Sequence, residues 1–223
     1  MIGFEIHKRA RRVDASVIAK FEGLPVANIS DNMSRMAAGG ARLRPMHDGT
    51  PMRGAALTVK SRPGDNLMVH YALDLAEPGD VIVVDAGGDL TNAIIGEIMS
   101  AYAQSRKLAG IVINGAIRDA ATLRASSFPI FAAGVTHRGP YKDGPGEING
   151  VIAIDGMTIA PGDLILGDDD GLLCVPFDQT EALYNATSEK QDIEQKMLAD
   201  IAAGTYDSSW VKARLKAQGC TGL

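Results

Sequence analysis

Three charged residues stand at a spacing that suggests chemistry: Glu97, then a gap of twenty residues, then the adjacent pair Arg118-Asp119. Carboxylates are hard oxygen ligands of the kind Mg²⁺ and Mn²⁺ prefer, and such sites leave several waters on the metal. A guanidinium can hold a carboxylate or an α-keto acid in a planar two-point fork. Gly96-Glu97-Ile98-Met99 reads as a helix start, where unpaired N–H groups and the positive dipole end make an anion site. Gly96 would let a ligand approach the backbone closely. The plainer alternative is that Gly96 merely starts a helix with Glu97 favourable in its first turn. Asp119 would then be an N-cap and Arg118 a surface arginine.

The elements that must position these residues run from Asp85 to Asp119. Val81–Val84 and Ile111–Ile113 are short β-branched runs, as expected of strands buried on both faces. A helix between them makes a parallel βαβ unit with a right-handed crossover. The carboxyl ends of both strands then open on one edge of the sheet, where open α/β folds bind ligands. That shared edge brings Glu97 to Arg118-Asp119, and it tips the reading toward a site.

Around this unit, Asp14 can cap a short helix carrying Val17, Ile18 and Phe21, and a second helix is expected over Val26–Met36, followed by a loop at Ala38-Gly39-Gly40. A strand at Ala55–Lys60 and a helix over Asn66–Ala76 precede the central unit. A short helix over Ala121–Ala125 and a strand at Phe128–Phe131 follow it. From Gly134 to Pro176 the chain is rich in Gly, Pro and Asp, with short strands at Val151–Ile154, Thr158–Ile159, Leu164–Leu166 and Leu172–Val175. Asp155-Gly156 is a hairpin signal. Phe177 to Ala203 is helical, and a last amphipathic helix includes Trp210, Val211 and Leu215. Pro-Gly-Asp recurs at 63–65, 78–80 and 161–163, which turn chemistry explains without an internal duplication. The expected architecture is α/β: a mainly parallel central sheet with helices on one side, a smaller antiparallel sheet and C-terminal helices. Residues 1–223 read as one domain, with an N-terminal arm and helix at 1–25 and C-terminal helices at 178–223.

Composition narrows the function. With 46% hydrophobic and 22% charged residues, the chain has the profile of an ordinary soluble globular protein. A net charge of -5 argues against a general affinity for nucleic acid. The basic cluster Lys8-Arg9-Arg11-Arg12 reads as a solvated arm or a subunit contact. No apolar run reaches the roughly 18 residues of a membrane span, and the first twelve residues have no signal core. Cys174 and Cys220 form neither a metal spacing nor a disulfide framework, so a reducing, cytoplasmic setting is expected. His7, His47, His70 and His137 lack zinc spacing and read as structural or exposed. Asp168-Asp169-Asp170-Gly171 reads as a turn between strands.

Glu97, the twenty-residue gap and Arg118-Asp119 resemble the signature of the class II 4-hydroxy-4-methyl-2-oxoglutarate / 4-carboxy-4-hydroxy-2-oxoadipate aldolase family, which includes regulators of ribonuclease E activity. The likeness extends through ISDNM (29–33), RPGDNLMVHYALD (62–74), PGDVIVVDAGG (78–88), GIVINGAIRD (110–119), GPGEIN (144–149) and PGDLILGDDDG (161–171). It implies a swivelling β/β/α sandwich, homotrimers or homohexamers with shared active sites, and a Mg²⁺- or Mn²⁺-dependent retro-aldol reaction that yields pyruvate. It also implies decarboxylation of oxaloacetate, which passes through the same enolate. By position, Gly96–Met99 and Arg118 would bind the pyruvyl part, Asp119 would ligate the metal and Glu97 would hold metal-bound water. Glu194 of a neighbouring subunit is the candidate for a further acidic group. The segment THRGPYKDGPGEIN resembles the regulator-like branch, which leaves the exact substrate open. A non-catalytic ring that regulates a ribonuclease or another partner is the competing expectation.

Overall fold

The structure is a computed structural model that describes residues 2–34 and 39–223. Its centre is a run of four parallel strands: β3 (Met52–Ser61), β4 (Asp80–Asp85), β6 (Gly110–Ile117) and β7 (Ile130–Val135). They belong to a ten-stranded sheet with the order β1-β8-β3-β4-β6-β7-β2. Here β1 is Phe4–Ile6, β2 is Arg44–Pro45 and β8 is Gly146–Ile148. β11 (Leu164–Asp168) and β12 (Gly171–Val175) join the same sheet through β3. Only the hairpin of β9 (Ile152–Ile154) and β10 (Met157–Ile159) stands as a separate antiparallel sheet. The smaller sheet is therefore narrower than the Gly134–Pro176 stretch suggests.

Alternation along the central strands sorts their side chains into two cores. Ile82, Val84, Ile111 and Ile113 face α3 (Leu67–Leu75), α4 (Glu97–Ser105) and α5 (Ala120–Arg124). Val81, Val83 and Val112 face the other way, onto Ile152, Ile154, Met157 and Ile159 of the hairpin. Both faces are thus covered, which explains why these strands read as continuous apolar runs. A third core packs α1 (Ala15–Lys20), α2 (Val26–Asp31) and the start of α6 (Thr180–Ala202) on β11 and β12. α7 (Ser209–Ala217) follows. The expected end of the second helix at Met36, and Ala38 of the next loop, lie outside the described residues.

Two expectations change in the structure. Arg9, Arg11 and Arg12 are not a solvated arm: Arg9 and Arg12 both reach the fully buried Asp80, and Arg11 pairs with Asp163 and Asp178. A buried carboxylate needs compensation, and the arm supplies it. Second, the loop after β4 contains a strand, β5 (Ala93–Ile95). β4 pairs with β6 only as far as Asn114, and β5 resumes the pairing at Ala116 and Ile117. Gly87 and Gly88, at φ 67° and 69°, turn the chain out and allow that return.

Candidate active site

β3, β4, β6 and β7 end on one edge of the sheet, and α3 and α4 begin there. α4 starts with Gly96 as its N-cap and Glu97 in its first turn. β6 delivers Arg118, whose N–H donates to Ile95 O at 3.0 Å and so fixes it beside the α4 start. Asp119 follows in the left-handed region, at φ 56°. That conformation is uncommon for a residue other than glycine, and Asp is among those that tolerate it.

Asp119 combines features of both readings. It occupies the N-cap position of α5, yet its carboxylate makes no cap bond to that helix. Instead Oδ2 accepts the Glu97 N–H of α4 at 2.9 Å and lies 3.7 Å from Arg118 Nε. Among the described residues, Oδ1 has no partner. The side chains of Arg118 and Asp119 are 42% and 39% exposed. Gly96 has to be small: a Cβ there would fall on the Asp119 carboxylate and within 2.8 Å of Arg118 Cγ. Among the described residues the N–H groups of Ile98 and Met99 also lack acceptors. An anion placed at this helix start meets two free N–H groups and a guanidinium.

Beside them opens a cavity of about 260 Å³, lined by Asn66, His70, Met99, Arg118 and Lys142 among others. Asn66 is the N-cap of α3 and is nearly fully buried. Its amide donates to Ile94 O at 2.8 Å, but its Oδ1 has no partner. A buried acceptor left unpaired is costly, and a ligand donor or a water would relieve it. Burial first, and then the Lys142 charge, hold the His70 imidazole below its ordinary value, against the pull of Asp74. A second recess is lined by Arg118 and Asp119 together with Val135, Thr136 and His137. Asn66, His70, His137 and Lys142 were not singled out as site residues in the sequence. Two signals point to them: Asn66 stands directly before an apolar helix, an N-cap position, and all four fall in the stretches 62–74 and 136–149 that carry the family likeness.

Among the described residues no three His, Cys, Asp or Glu side chains converge into a ready metal shell. The donors that are present are the free Oδ1 of Asp119 and the exposed Glu97 carboxylate. Few carboxylates with open access to water suit a hydrated Mg²⁺ or Mn²⁺, and they do not suit zinc. Glu194 is not brought to Asp119 within the chain. It lies on α6, where Oε2 accepts from Asn28 Nδ2 at 2.6 Å and Oε1 lies 3.7 Å from Lys190 Nζ. Asp168 ends β11 and Asp169-Asp170 make the turn into β12; the Asp168 carboxylate accepts the N–H groups of Val26, at the start of α2, and of Asp170.

Comparison with known proteins gives a consistent result. A protein of Halalkalibacterium halodurans named "Putative 4-hydroxy-4-methyl-2-oxoglutarate aldolase" is 39% identical over 180 residues, covering 81% of this chain and 86% of that one. The structure of Streptomyces coelicolor RraAS2, described as an unusual member of the RNase ES inhibitor RraA family, superposes with a TM-score of 0.76 at 25% identity, over 83% of this chain and 96% of that one. The RNA-processing inhibitor RraA from Thermus thermophilis gives a TM-score of 0.63 at 29% identity, over 68% and 92%. The family model described as RraA-like, Aldolase/RraA, matches residues 26–174, a span that holds Glu97, Arg118 and Asp119, and the chain belongs to that family.

Proposed function

We propose that the protein is a divalent-metal-dependent class II aldolase. It would cleave a 4-hydroxy-2-oxo dicarboxylic or tricarboxylic acid into pyruvate and a second keto acid, with oxaloacetate decarboxylation as a side activity. One observation carries this reading: the Asp119 carboxylate is tied to the first N–H of α4 while its other oxygen stays free, with Arg118 alongside. A scaffold has no physical need for that arrangement at an open sheet edge.

In this reading the Arg118 guanidinium grips the 2-keto acid end of the substrate, and the N–H groups of Ile98 and Met99 take its carboxylate. As the C3–C4 bond breaks, negative charge develops on the C2 oxygen, where the guanidinium stabilises it. Water held at Glu97 relays the proton leaving the C4 hydroxyl to that carboxylate, from which it returns to C3 of the enolate to give pyruvate. A divalent cation, held by Asp119 and reached by Glu97 through water, would supply Lewis-acid stabilisation of the enolate. Glu194 of a neighbouring copy would close the open side, in a homotrimer or homohexamer with shared sites.

The test is pyruvate release from a panel of 4-hydroxy-2-oxo acids and oxaloacetate, with and without chelator. Activity should vanish in chelator and return with Mg²⁺ or Mn²⁺. Since Lys142 lines the cavity, borohydride trapping is the control. Full activity in chelator, with a trapped imine on Lys142, would overturn the class II reading. The names of the Thermus and Streptomyces neighbours support the second reading, a non-catalytic regulator of a ribonuclease. That reading gains if no keto acid is turned over under any metal.

A further inference from the structure

The cavity beside Arg118 is charged on one side only. Its lining includes Arg118, His70 and Lys142 but no aspartate or glutamate. The acids close to these residues in sequence are committed elsewhere. Asp65 accepts from Leu67, Asp143, Gly144 and Arg62. Asp143 lies 3.6 Å from Arg62 Nη2, and Asp74 accepts the Tyr102 hydroxyl. Among the described residues Lys142 has no hydrogen-bond or ion-pair partner. Ile94, Ile95, Ile98, Met99 and Pro140 make up most of the remaining wall. Beside such an apolar wall, unmatched charge attracts an anion more strongly than it would in open water.

The backbone on either side of Lys142 is tied down. Tyr141 N–H donates to Gly64 O at 2.8 Å, and Asn66 N–H donates to Tyr141 O at 3.0 Å, which pins this loop to the start of α3. The N–H groups of Asp143 and Gly144 donate to the fully buried Asp65. The loop also lies against the keto acid anchor, since a Cβ on Gly139 would stand 3.3 Å from Arg118 Nη1. A cation on a loop held this firmly is a placed group, as a binding site requires. His70 stands one turn along α3 from Asn66, its N–H donating to Asn66 O at 3.0 Å.

The pyruvyl end of a keto acid uses Arg118 and the first N–H groups of α4, which leaves Lys142 and His70 over. We propose that Lys142, with the His70 ring N–H as a second donor, binds the carboxylate at the far end of the substrate, and so selects keto acids that carry one. This rests on the keto acid reading of the site. An ammonium has three donors, enough to serve that carboxylate and the buried, unpaired Asn66 Oδ1 as well. A substrate ending in a methyl group would leave the cations unmatched. Lys142 meets the substrate away from the bond that breaks, so its removal should raise KM more than it lowers kcat.

The test compares binding of 2-oxoglutarate and 2-oxovalerate, with Mg²⁺ present, by calorimetry. The two share the keto acid end and differ only in a terminal carboxylate against a methyl group. Neither has a C4 hydroxyl to cleave. The parent chain should prefer 2-oxoglutarate by about tenfold or more, the usual worth of a charge-assisted hydrogen bond. Lys142→Met should abolish that preference while 2-oxovalerate still binds within about twofold of the parent, which also reports a folded site. Lys142→Arg should keep most of the preference, and His70→Phe should lose a smaller share than Lys142→Met. No preference in the parent, a preference that survives Lys142→Met, or an equal loss for both acids in that variant would each overturn the proposal, as would failure of both to bind the parent. Pyruvate release separates this from the aldolase reading. If 2-oxoglutarate is preferred through Lys142 but no aldol is cleaved, the subsite stands and the aldolase falls. If the parent cleaves 4-hydroxy-2-oxopentanoate as efficiently as aldols with a terminal carboxylate, the aldolase stands and the subsite falls.

Discussion

Two edges of the same sheet pair arginine with aspartate, and they use the pair in opposite ways. At the foot of β4, Asp80 is fully buried and both of its oxygens are engaged. Oδ1 accepts from Arg9 Nη1 and Arg12 Nε, each at 2.9 Å, and Oδ2 accepts the Glu77 N–H at 2.9 Å. Asp163 repeats the scheme with Arg11 and the N–H groups of Ala160 and Phe177. Asp65, the third Pro-Gly-Asp carboxylate, accepts from Leu67, Asp143, Gly144 and Arg62. At the top of β6, Asp119 is partly exposed, sits on a left-handed backbone and has one oxygen to spare. The residue types are the same. What separates the structural pair from the candidate site is acceptor capacity left over at an accessible place.

The comparison breaks most visibly by substitution. Asp119→Ala should lower metal-dependent turnover by on the order of 10³-fold or more, while leaving the thermal midpoint close to that of the parent. Arg118→Lys keeps the charge but loses the planar grip, and should cost roughly 10²-fold in kcat/KM. Near-normal efficiency in Arg118→Lys would make Arg118 structural. Asp80→Ala should behave the other way round. Removing one partner of a buried ion pair costs about 3–5 kcal/mol, which in a chain of this size lowers the midpoint by roughly 10 °C. The per-site activity of the remaining folded protein should persist. Equal thermal losses in Asp80→Ala and Asp119→Ala would erase the distinction.

The parts legible in the sequence were those governed by local pattern. β4 and β6 declared themselves because two-sided burial demands unbroken β-branched runs. The Glu97 to Arg118-Asp119 spacing then followed from a βαβ crossover of ordinary length. β1, β2, β5 and β8 are not legible because each is three residues or shorter and, unlike the equally short β9 and β10 that flank the Asp155-Gly156 turn, has no hairpin signal beside it. The cavity wall escaped for a related reason. Asn66, His70 and Lys142 come from distant stretches, and only the packing of α3 beside α4 brings them to Arg118. The N-terminal arginines looked solvated because nothing local marks their partners. An aspartate that opens a buried strand, as in Pro78-Gly79-Asp80, asks for a cation from elsewhere in the chain.

The smallest expected effect sharpens the same contrast, since it concerns cations rather than acids. At the foot of the sheet the three arginines have carboxylate partners, whereas among the described residues Lys142 has none at the cavity. His70 records that imbalance. Its imidazole is held below 6.5 by burial first and by Lys142 second, with Asp74 opposing. The folded chain therefore declines a proton that the unfolded chain accepts near 6.5. His70 should take stability away as pH falls through that value and leave no slope above it. An NMR titration of His70 would follow this directly. Lys142→Met should raise the midpoint toward 6.5 without reaching it, because burial remains, and Asp74→Asn should lower it further. Oxalate, a dianion of keto-acid size, should raise the midpoint as it fills the cavity, since a bound negative charge favours the imidazolium. A midpoint unmoved by both oxalate and Lys142→Met would mean that the cavity cations do not face an anion site.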